Sequence, residues 1–301
     1  MALKNLPASI LARLKNQSKE QKIAFQVCLQ LFFQEEFLRR LSLSDYKENL
    51  ILKGGMFIYT LTEFDSRPTR DMDFLVRKLS GDLQNIQVVM TEICNVKTEN
   101  DFLIIEVLGT EQITLDKQYP GVRVKMRGRL NNIRVPFSVD IGIDGIIIPS
   151  PVLRTITTRL DGFKSPEIYT YSIESTISEK FDAIIKNMEN NSRMKDYFDI
   201  YYLSGLFDFD GKILREAIKE TVAHRNHNID NDIFERIENF PNNSFIITQW
   251  KSFEPAKDAD LSFKTVILEL ISFLKPVVLS LQDDEEFDLI LDSNVRQWGK
   301  Q

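Results

Sequence analysis

Apolar residues follow helical spacing at both ends of the chain and alternate with polar residues in its middle. Between residues 7 and 44 the apolar positions have a 3.6-residue period, which predicts two helices. Between residues 50 and 148 they alternate or form short runs, as strands do. A regular strand–helix repeat is missing there, so we expect a mixed sheet of five or six strands.

Helical spacing returns after residue 165 and dominates the rest of the chain. Helices are predicted over residues 174–188, 193–206, 212–223, 230–240 and 260–281, with a kink at Pro276 and a helical fragment over 287–291. Prolines cluster between residues 149 and 170, where we expect the joint between two domains. The predicted fold class is α+β, with a mixed-sheet domain over residues 1–165 and a helical domain over 166–301.

Individual strands can be placed within the sheet region. Residues 122–130 and 133–143 alternate and are separated by Asn131-Asn132, which predicts a hairpin. Pro136 predicts an edge or bulge near the start of the second strand, because proline has no amide hydrogen to donate. Shorter strands are expected at 102–108 and 111–115, and a helix is expected at 82–94.

Composition narrows the class of protein. The chain has 301 residues, of which 43% are hydrophobic, and a formal net charge of −6. This charge argues against a general nucleic-acid coat protein and leaves room only for a local basic patch. Cys28 and Cys94 lie in apolar patterns and are expected to be buried thiols. No signal peptide and no 20-residue apolar span is recognised, so a cytoplasmic protein that does not enter the membrane is expected.

The stretch from Lys53 to Phe74 carries the strongest chemical signal. A short apolar run leads into Gly54 and Gly55, and an apolar helical turn follows. Glycines let backbone amides approach phosphate oxygens, and a helix N-terminus favours an anion. The pattern therefore indicates a triphosphate site, with Lys53 at its start.

Carboxylates follow this phosphate site. Asp71 and Asp73 are two residues apart at the start of a strand and are expected on one face. Asp140 lies within a later strand and is the candidate for a third ligand, with Asp144 as its competitor. The alternative for Asp140 is a salt bridge to Arg123, Arg127 or Arg134 of the same hairpin. Three such carboxylates suit Mg²⁺ or Mn²⁺ shared with an NTP. Asp140 is also expected to help deprotonate the acceptor.

Basic residues add to the predicted site. Arg67 and Arg70 lie just before the carboxylates and are expected near the triphosphate. Lys180 interrupts an apolar helix, and Asp196 lies among apolar residues of the next helix. With the two facing each other between helices, the lysine is expected to hold a triphosphate, and the aspartate to accept a proton from an attacking hydroxyl or to orient the lysine. Arg39 is expected, with Arg40, to be a solvated residue near a helix end.

Several motifs occur together in the order found in a known family. The chain resembles the AbiEii/AbiGii toxins, which are nucleotidyltransferase-like proteins of type IV toxin–antitoxin systems. The motifs are LKGGM at 52–56, RPTRDMDF at 67–74, YPGVRV at 119–124, VDIGIDG at 139–145, EKFDAII at 179–185 and NSRMKDYFDI at 191–200. The likeness extends over about residues 10–225 and includes KILREAIKETVAHR at 212–225.

This resemblance implies a DNA polymerase β-like nucleotidyltransferase domain, with metal on Asp71 and Asp73. Lys180 and Asp196 match motifs that the family links to nucleotide binding and activity. The resemblance also implies an NTP substrate, a tRNA or other RNA acceptor, and a separately encoded antitoxin. Met56 departs from the family pattern, because nucleotidyltransferases often have Ser or Thr after the glycines.

Two other functions are compatible with these residues. One is nucleotidyl transfer to a small molecule, as in antibiotic-modifying enzymes, which the acidic net charge mildly favours. The other is a non-enzymatic nucleotide-binding protein of the same fold. Three clustered carboxylates argue against the second, because a protein that only binds nucleotide has no need of all three.

Overall fold

The computed structural model describes residues 6–113 and 121–300. These residues form two compact units. The first consists of the described residues up to Asp144 together with Pro151–Tyr171, and the second of Gly145–Ser150 together with the described residues from Ser172 onward. The predicted end of the second short strand, at residues 114 and 115, and the first two residues of the YPGVRV motif lie outside the described residues.

The first unit contains four helices and a seven-stranded sheet within its described part. Its elements are α1 (Leu6–Glu20), α2 (Phe25–Leu43), β1 (Leu50–Lys53), α3 (Gly54–Leu61), β2 (Met72–Val76), α4 (Leu83–Asn95), β3 (Leu103–Ile113), β4 (Gly121–Leu130), β5 (Ile133–Gly142), β6 (Val152–Thr155) and β7 (Glu167–Thr170).

The sheet of this unit is mixed, as the alternating pattern predicts. Its strand order is β3-β4-β5-β2-β1-β7-β6. The β2–β5 and β1–β7 pairs are parallel, and the other neighbours are antiparallel. Helices α2 and α4 pack against one face. A Cβ atom on Gly128 would overlap the ring of Phe33, so glycine is required where α2 lies against β4.

The hairpin between β4 and β5 is confirmed. Asn131 has a φ of 51°, and β4 and β5 are paired in register from Gly121–Gly142 to Leu130–Ile133. Strand β2 reaches only the second half of β5, from Val139 onward. Pro136 therefore lies where β5 is paired on one side only, which agrees with the predicted edge position.

One prediction about the sheet region was wrong. The strands expected at 102–108 and 111–115 are one strand, β3, with an irregularity between Val107 and Gly109. The stretch at 149–170, where we expect the joint between the two domains, contains β6 and β7, for which no strand was predicted. These two strands are four residues each and take their place by pairing with each other and with β1.

Helix α2 carries buried charges, and the expectation that Arg39 and Arg40 are solvated was wrong. The Arg39 and Arg40 side chains are 4% and 8% exposed. Glu36 accepts hydrogen bonds from Arg39 Nη1 at 3.0 Å and Arg40 Nε at 3.2 Å, as well as from Thr98 and Asn100, both at 2.7 Å. Both Glu36 oxygens are thus fully used, which makes this burial tolerable.

The second unit is mainly helical within its described residues. Its elements are α5 (Ile173–Asn187), α6 (Met194–Ser204), β8 (Phe209–Asp210), α7 (Gly211–His224), α8 (Ile233–Glu238), α9 (Ser244–Ser252), α10 (Glu254–Asp258), α11 (Phe263–Gln282), β9 (Ile290–Asp292) and β10 (Gln297–Gly299), with single 3-10 turns at Met188–Asn190 and Phe240–Asn242. The prediction of a helical fragment over 287–291 was wrong. Residues 290–292 instead form strand β9, which pairs with β8 and β10.

Helix α11 is the core helix of this unit. Its buried side chains include Val266, Leu270, Leu274 and Val277, and the helix continues through Pro276. Length and composition alone would allow α11 to cross a membrane, which the sequence interpretation did not expect. A single helix of this kind is weak evidence for a membrane span, because core helices of soluble proteins share these properties.

Both cysteines are buried free thiols, as predicted. Burial raises the pKa of Cys94 to about 12, although the charge of Arg40 opposes the shift. The thiol therefore stays protonated at neutral pH and packs as an apolar group.

Candidate active site

The junction between β1 and α3 brings a backbone loop against a carboxylate. Gly54 has a φ of 68°, and a Cβ atom there would overlap the Asp73 carboxylate. A Cβ atom on Gly55 would lie only 2.9 Å from Thr69 Oγ1. Both glycines are therefore needed where the sequence predicts close backbone approach, since any side chain would collide with a neighbour.

Asp73 lies at the centre of a charged row that crosses three strands. It is the cross-strand partner of Lys53 on β1 and of Asp140 on β5. The intervening residues of β2, Met72 and Phe74, are buried. The three charged side chains accordingly share the face of the sheet opposite to the buried one.

The loop before β2 delivers the remaining predicted residues. Asp71 directly precedes β2 rather than lying within it, and it is exposed. The Arg70 carbonyl accepts hydrogen bonds from Gln30 Nε2 at 2.6 Å and Gln34 Nε2 at 2.8 Å. Arg67 Nη2 lies 3.5 Å from the position of a Cβ atom on Gly55. Helix α2 thus fixes the loop that carries both arginines.

Arg123 on β4 forms a bidentate ion pair with the Asp140 carboxylate. Arg123 Nε donates to Asp140 Oδ1 at 2.8 Å, and Nη2 donates to Oδ2 at 2.7 Å. Hydrogen bonding to Asp140, followed by its charge, raises the pKa of Arg123 well above its usual range, and the charges of Glu111 and Asp71 add to the shift. The alternative predicted for Asp140, a salt bridge to an arginine of its own hairpin, is therefore present.

Lys53 has an aromatic neighbour that the sequence pattern did not indicate. Its Nζ lies 3.4 Å from Tyr171 Oη and 4.9 Å from the centre of the Tyr171 ring. The Tyr171 amide donates to the Leu52 carbonyl at 2.9 Å, which anchors this residue beside β1. A tyrosine just after a short strand gives no sequence signal for this contact, which depends on the pairing of β7 with β1.

The carboxylates can be compared with what a divalent cation requires. Mg²⁺ and Mn²⁺ prefer carboxylate oxygens, which Asp71, Asp73 and Asp140 supply. Across residues 6–113 and 121–300, no three carboxylate, histidine or cysteine side chains are gathered closely enough to hold a metal. Asp71 and Asp73 fit a metal by donor chemistry, whereas Asp140 fits only if it exchanges an Arg123 hydrogen bond for the ion.

The second unit brings together the other two predicted residues. Lys180 Nζ on α5 lies 3.1 Å from Asp196 Oδ1 and 2.6 Å from Asp199 Oδ2, both on α6. Arg193 Nε also donates to Asp196, at 2.6 Å. Burial would raise the pKa of Asp196, but the charges and hydrogen bonds of Lys180 and Arg193 hold it below its usual value. Asp196 is therefore ionised and buried between two cations.

A further charged cluster in this unit was not foreseen. Asp182 on α5 is buried and accepts from Arg225 Nη1 at 2.7 Å, and its other oxygen lies 2.6 Å from His227 Nδ1. Arg225 also lies 3.3 Å from Glu179. An aspartate inside the apolar EKFDAII helix was an available signal for a buried partner. The cluster ties α5 to the end of α7.

Comparisons with known proteins agree with this architecture. A family model described as "Nucleotidyl transferase AbiEii toxin, Type IV TA system" matches residues 36–292. The match reaches well beyond residue 225, where the recognisable motifs were thought to end. No curated protein matches the chain.

Two solved structures from Helicobacter pylori are similar. One, described as a candidate nucleotidyltransferase, has 14% sequence identity and a TM-score of 0.50, and the match covers 88% of this chain and 100% of that one. The other, JHP933, has 14% identity and a TM-score of 0.48, with 87% and 95% covered. The first likeness supports the fold of a nucleotidyltransferase.

Proposed function

The chain belongs to the AbiEii family of nucleotidyltransferase toxins of type IV toxin–antitoxin systems, and we propose that it transfers a nucleotidyl group from an NTP to a hydroxyl of RNA, with tRNA as the leading acceptor. The observation that carries this proposal is the row formed by Lys53, Asp73 and Asp140 on adjacent strands. The row lies beside a glycine pair, and the Gly54 backbone packs directly against the Asp73 carboxylate.

In this proposal Asp71 and Asp73 hold Mg²⁺ or Mn²⁺, with Asp140 as the third ligand. These carboxylates would hold the cation where it would supply charge neutralisation to the phosphates and to the departing pyrophosphate. The amides of Gly54 and Gly55 and the cations Lys53, Arg67 and Arg70 are assigned to the triphosphate. Met56 is buried and supplies no hydroxyl, so backbone donors carry that part of the binding.

The transfer itself is an in-line displacement. The acceptor oxygen forms a bond to the α-phosphorus as the bond from that phosphorus to pyrophosphate breaks. Asp140 is assigned to accept the proton of the acceptor hydroxyl, while the hydrogen bond to Arg123 that remains after one is exchanged for the ion orients the carboxylate. Lys180 and Asp196 are proposed to contribute to nucleotide transfer because they match activity-linked motifs of the family.

Substitution of Asp73 tests the proposal. Asp73→Asn should reduce transfer of label from radioactive NTP to tRNA by about 10³-fold, because several kcal/mol of charge stabilisation would be lost. Asp101→Asn, an exposed aspartate in the same unit, is the matched control and should retain activity. Undiminished labelling by Asp73→Asn would refute the assignment. Labelling of an aminoglycoside in place of tRNA would favour the small-molecule alternative.

The family also suggests the cellular setting. We propose that the protein acts in the cytoplasm and that a separately encoded antitoxin counteracts it. Expression of the chain alone should arrest growth, whereas the Asp73→Asn variant should not. Growth arrest by both proteins would show that toxicity does not depend on nucleotidyl transfer.

A further inference from the structure

The charged face of the sheet continues away from the carboxylates along β4 and β5. On β4 the residues of this face are basic at four successive positions, alternating with residues that are buried. These four residues are Arg123, Lys125, Arg127 and Arg129. The chain as a whole has a net charge of −6. A row of four basic residues is therefore a local feature that the net charge does not predict.

Three of these four cations have acidic partners on neighbouring strands. Arg123 is paired with Asp140, and Lys125 Nζ lies 2.5 Å from Glu111 Oε2. Arg127 Nη2 lies 3.0 Å from Glu106 Oε2 on β3. The first part of the row is therefore neutralised by the fold itself.

The far end of the row is different. Arg129 on β4 is the direct cross-strand partner of Arg134 on β5. Like charges in such a position repel and weaken the pairing of strands. Within the described part of the chain, neither arginine has an acidic side chain within ion-pair distance, and Arg134 is exposed. Placing these two charges together does not stabilise the fold, whereas a bound anion would neutralise their repulsion.

The position of this pair relative to the carboxylates indicates the kind of anion. Arg129 is six residues along β4 from Arg123, and Arg134 is six residues along β5 from Asp140. At about 3.3 Å per residue, the pair lies ~20 Å from the carboxylate row. That distance corresponds to about six steps of one nucleic-acid strand at ~3.4 Å each. A polymer with repeating phosphates can span it, whereas an NTP cannot.

We propose that Arg129 and Arg134 bind the phosphodiester backbone of the RNA acceptor, several nucleotides away from the hydroxyl that reacts at the carboxylates. This inference rests on the proposed function and assigns the surface that positions its acceptor. Two guanidinium groups side by side provide paired N–H donors that match phosphate oxygens. The contacts recognise the backbone, so they position RNA without selecting its sequence.

Direct binding of a labelled single-stranded RNA, measured without NTP or metal at several salt concentrations, tests the surface. The double variant Arg129→Ala/Arg134→Ala should bind about tenfold more weakly and lower the slope of log affinity against log salt by about 1.4. Arg129→Lys/Arg134→Lys keeps both charges and should retain most of the slope. Equal affinity and slope for the wild type and the alanine variant would overturn the proposal.

A matched control removes the same charge elsewhere in the first unit. Lys97 and Lys164 are exposed and line a separate cavity of about 250 Å³ near the end of α2. Lys97→Ala/Lys164→Ala gives the same net charge as the arginine variant and should bind RNA as the wild type does. A parallel loss in both variants would show that overall charge, rather than the arginine pair, governs binding.

Kinetics separate this proposal from the proposed function. The alanine variant should raise KM for RNA and leave KM for NTP unchanged. If the wild-type protein transfers no nucleotide, but the alanine variant binds RNA more weakly than the wild type, the RNA-binding surface is supported and the proposed function is refuted. If transfer occurs with an unchanged KM for RNA in the variant, the function stands and the surface is refuted. Thermal unfolding should be unaltered or improved, because removing the pair relieves repulsion.

Discussion

Charged side chains occur on both sides of the seven-stranded sheet, in very different surroundings. On the side covered by α2, Glu36 is fully buried and receives four hydrogen bonds. On the other side, Arg127 and Glu106 are each about one-third exposed and form a simple ion pair. Buried charges must be fully paired to be tolerated, whereas exposed pairs contribute little and are free to serve binding.

The largest effect should come from removing the buried acceptor. Glu36→Ala would leave Arg39 and Arg40 buried without their main partner, at a cost of about 3–5 kcal/mol in the free energy of unfolding. Urea denaturation measures this directly. Glu99→Ala, at an exposed glutamate near Thr98, is the control and should change stability by less than about 0.5 kcal/mol. A loss below about 1 kcal/mol for Glu36→Ala would contradict the comparison.

The second effect concerns pH. Burial, opposed chiefly by the charge of Arg39, raises the pKa of Glu35 from 4.5 to about 7. Between these values the folded protein keeps a proton on Glu35 that the unfolded chain releases, so this group makes stability fall as pH rises from about 4.5 to 7. The shift corresponds to up to about 3 kcal/mol.

Replacing Glu35 should remove this dependence. Glu35→Gln cannot titrate, so its free energy of unfolding should decline less than that of the wild type between pH 4.5 and 7.5. Chemical denaturation at closely spaced pH values gives the difference between the two curves. Parallel curves would show that Glu35 does not carry the proton.

The smallest effect is expected on the exposed side. Glu106→Ala should change the free energy of unfolding by no more than about 1 kcal/mol, because solvent and salt screen its pair with Arg127. Thermal unfolding at low and high salt measures both the size and the screening. A loss as large as that of Glu36→Ala would mean that the two sides do not differ as described.

Local patterns of apolar and polar residues in the sequence predicted much of the fold. Alternation placed β4 and β5 and showed that Asp140 faces away from the core, because strand side chains have a strict two-residue period. The register that sets Asp73 beside Asp140 could not be derived in this way. Their strands are parallel and far apart in the chain, and such pairing is fixed by packing rather than by a turn.

The failures of the sequence interpretation have physical causes. Arg39 and Arg40 look solvated in a helical pattern, but α2 is enclosed by α1, α4 and the sheet, so even its charged residues are buried. Strands β6 and β9 are only four and three residues long. Their conformation depends on distant partners, which a local pattern does not contain.

The metal, nucleotide and acceptor assignments stay predictions from the motifs. Their residue types and order come from the sequence, and the structure adds which of them are neighbours within each unit. The salt bridge between Arg123 and Asp140 was predicted only as an alternative to metal binding by Asp140. The Arg129–Arg134 pair could be recognised only once the register between β4 and β5 was known.

The path of the chain between the two units has a consequence for its evolution. Gly145–Ser150 belongs to the helical unit, although β6 and β7 of the sheet unit follow it. Ile148 is held there through its amide, which donates to Ser175 Oγ at 2.7 Å, and its carbonyl, which accepts from Ser172. Recombination at any single point would separate a unit from part of itself. Relatives can therefore exchange a whole unit only through several coordinated crossovers, which favours inheritance of the two units together.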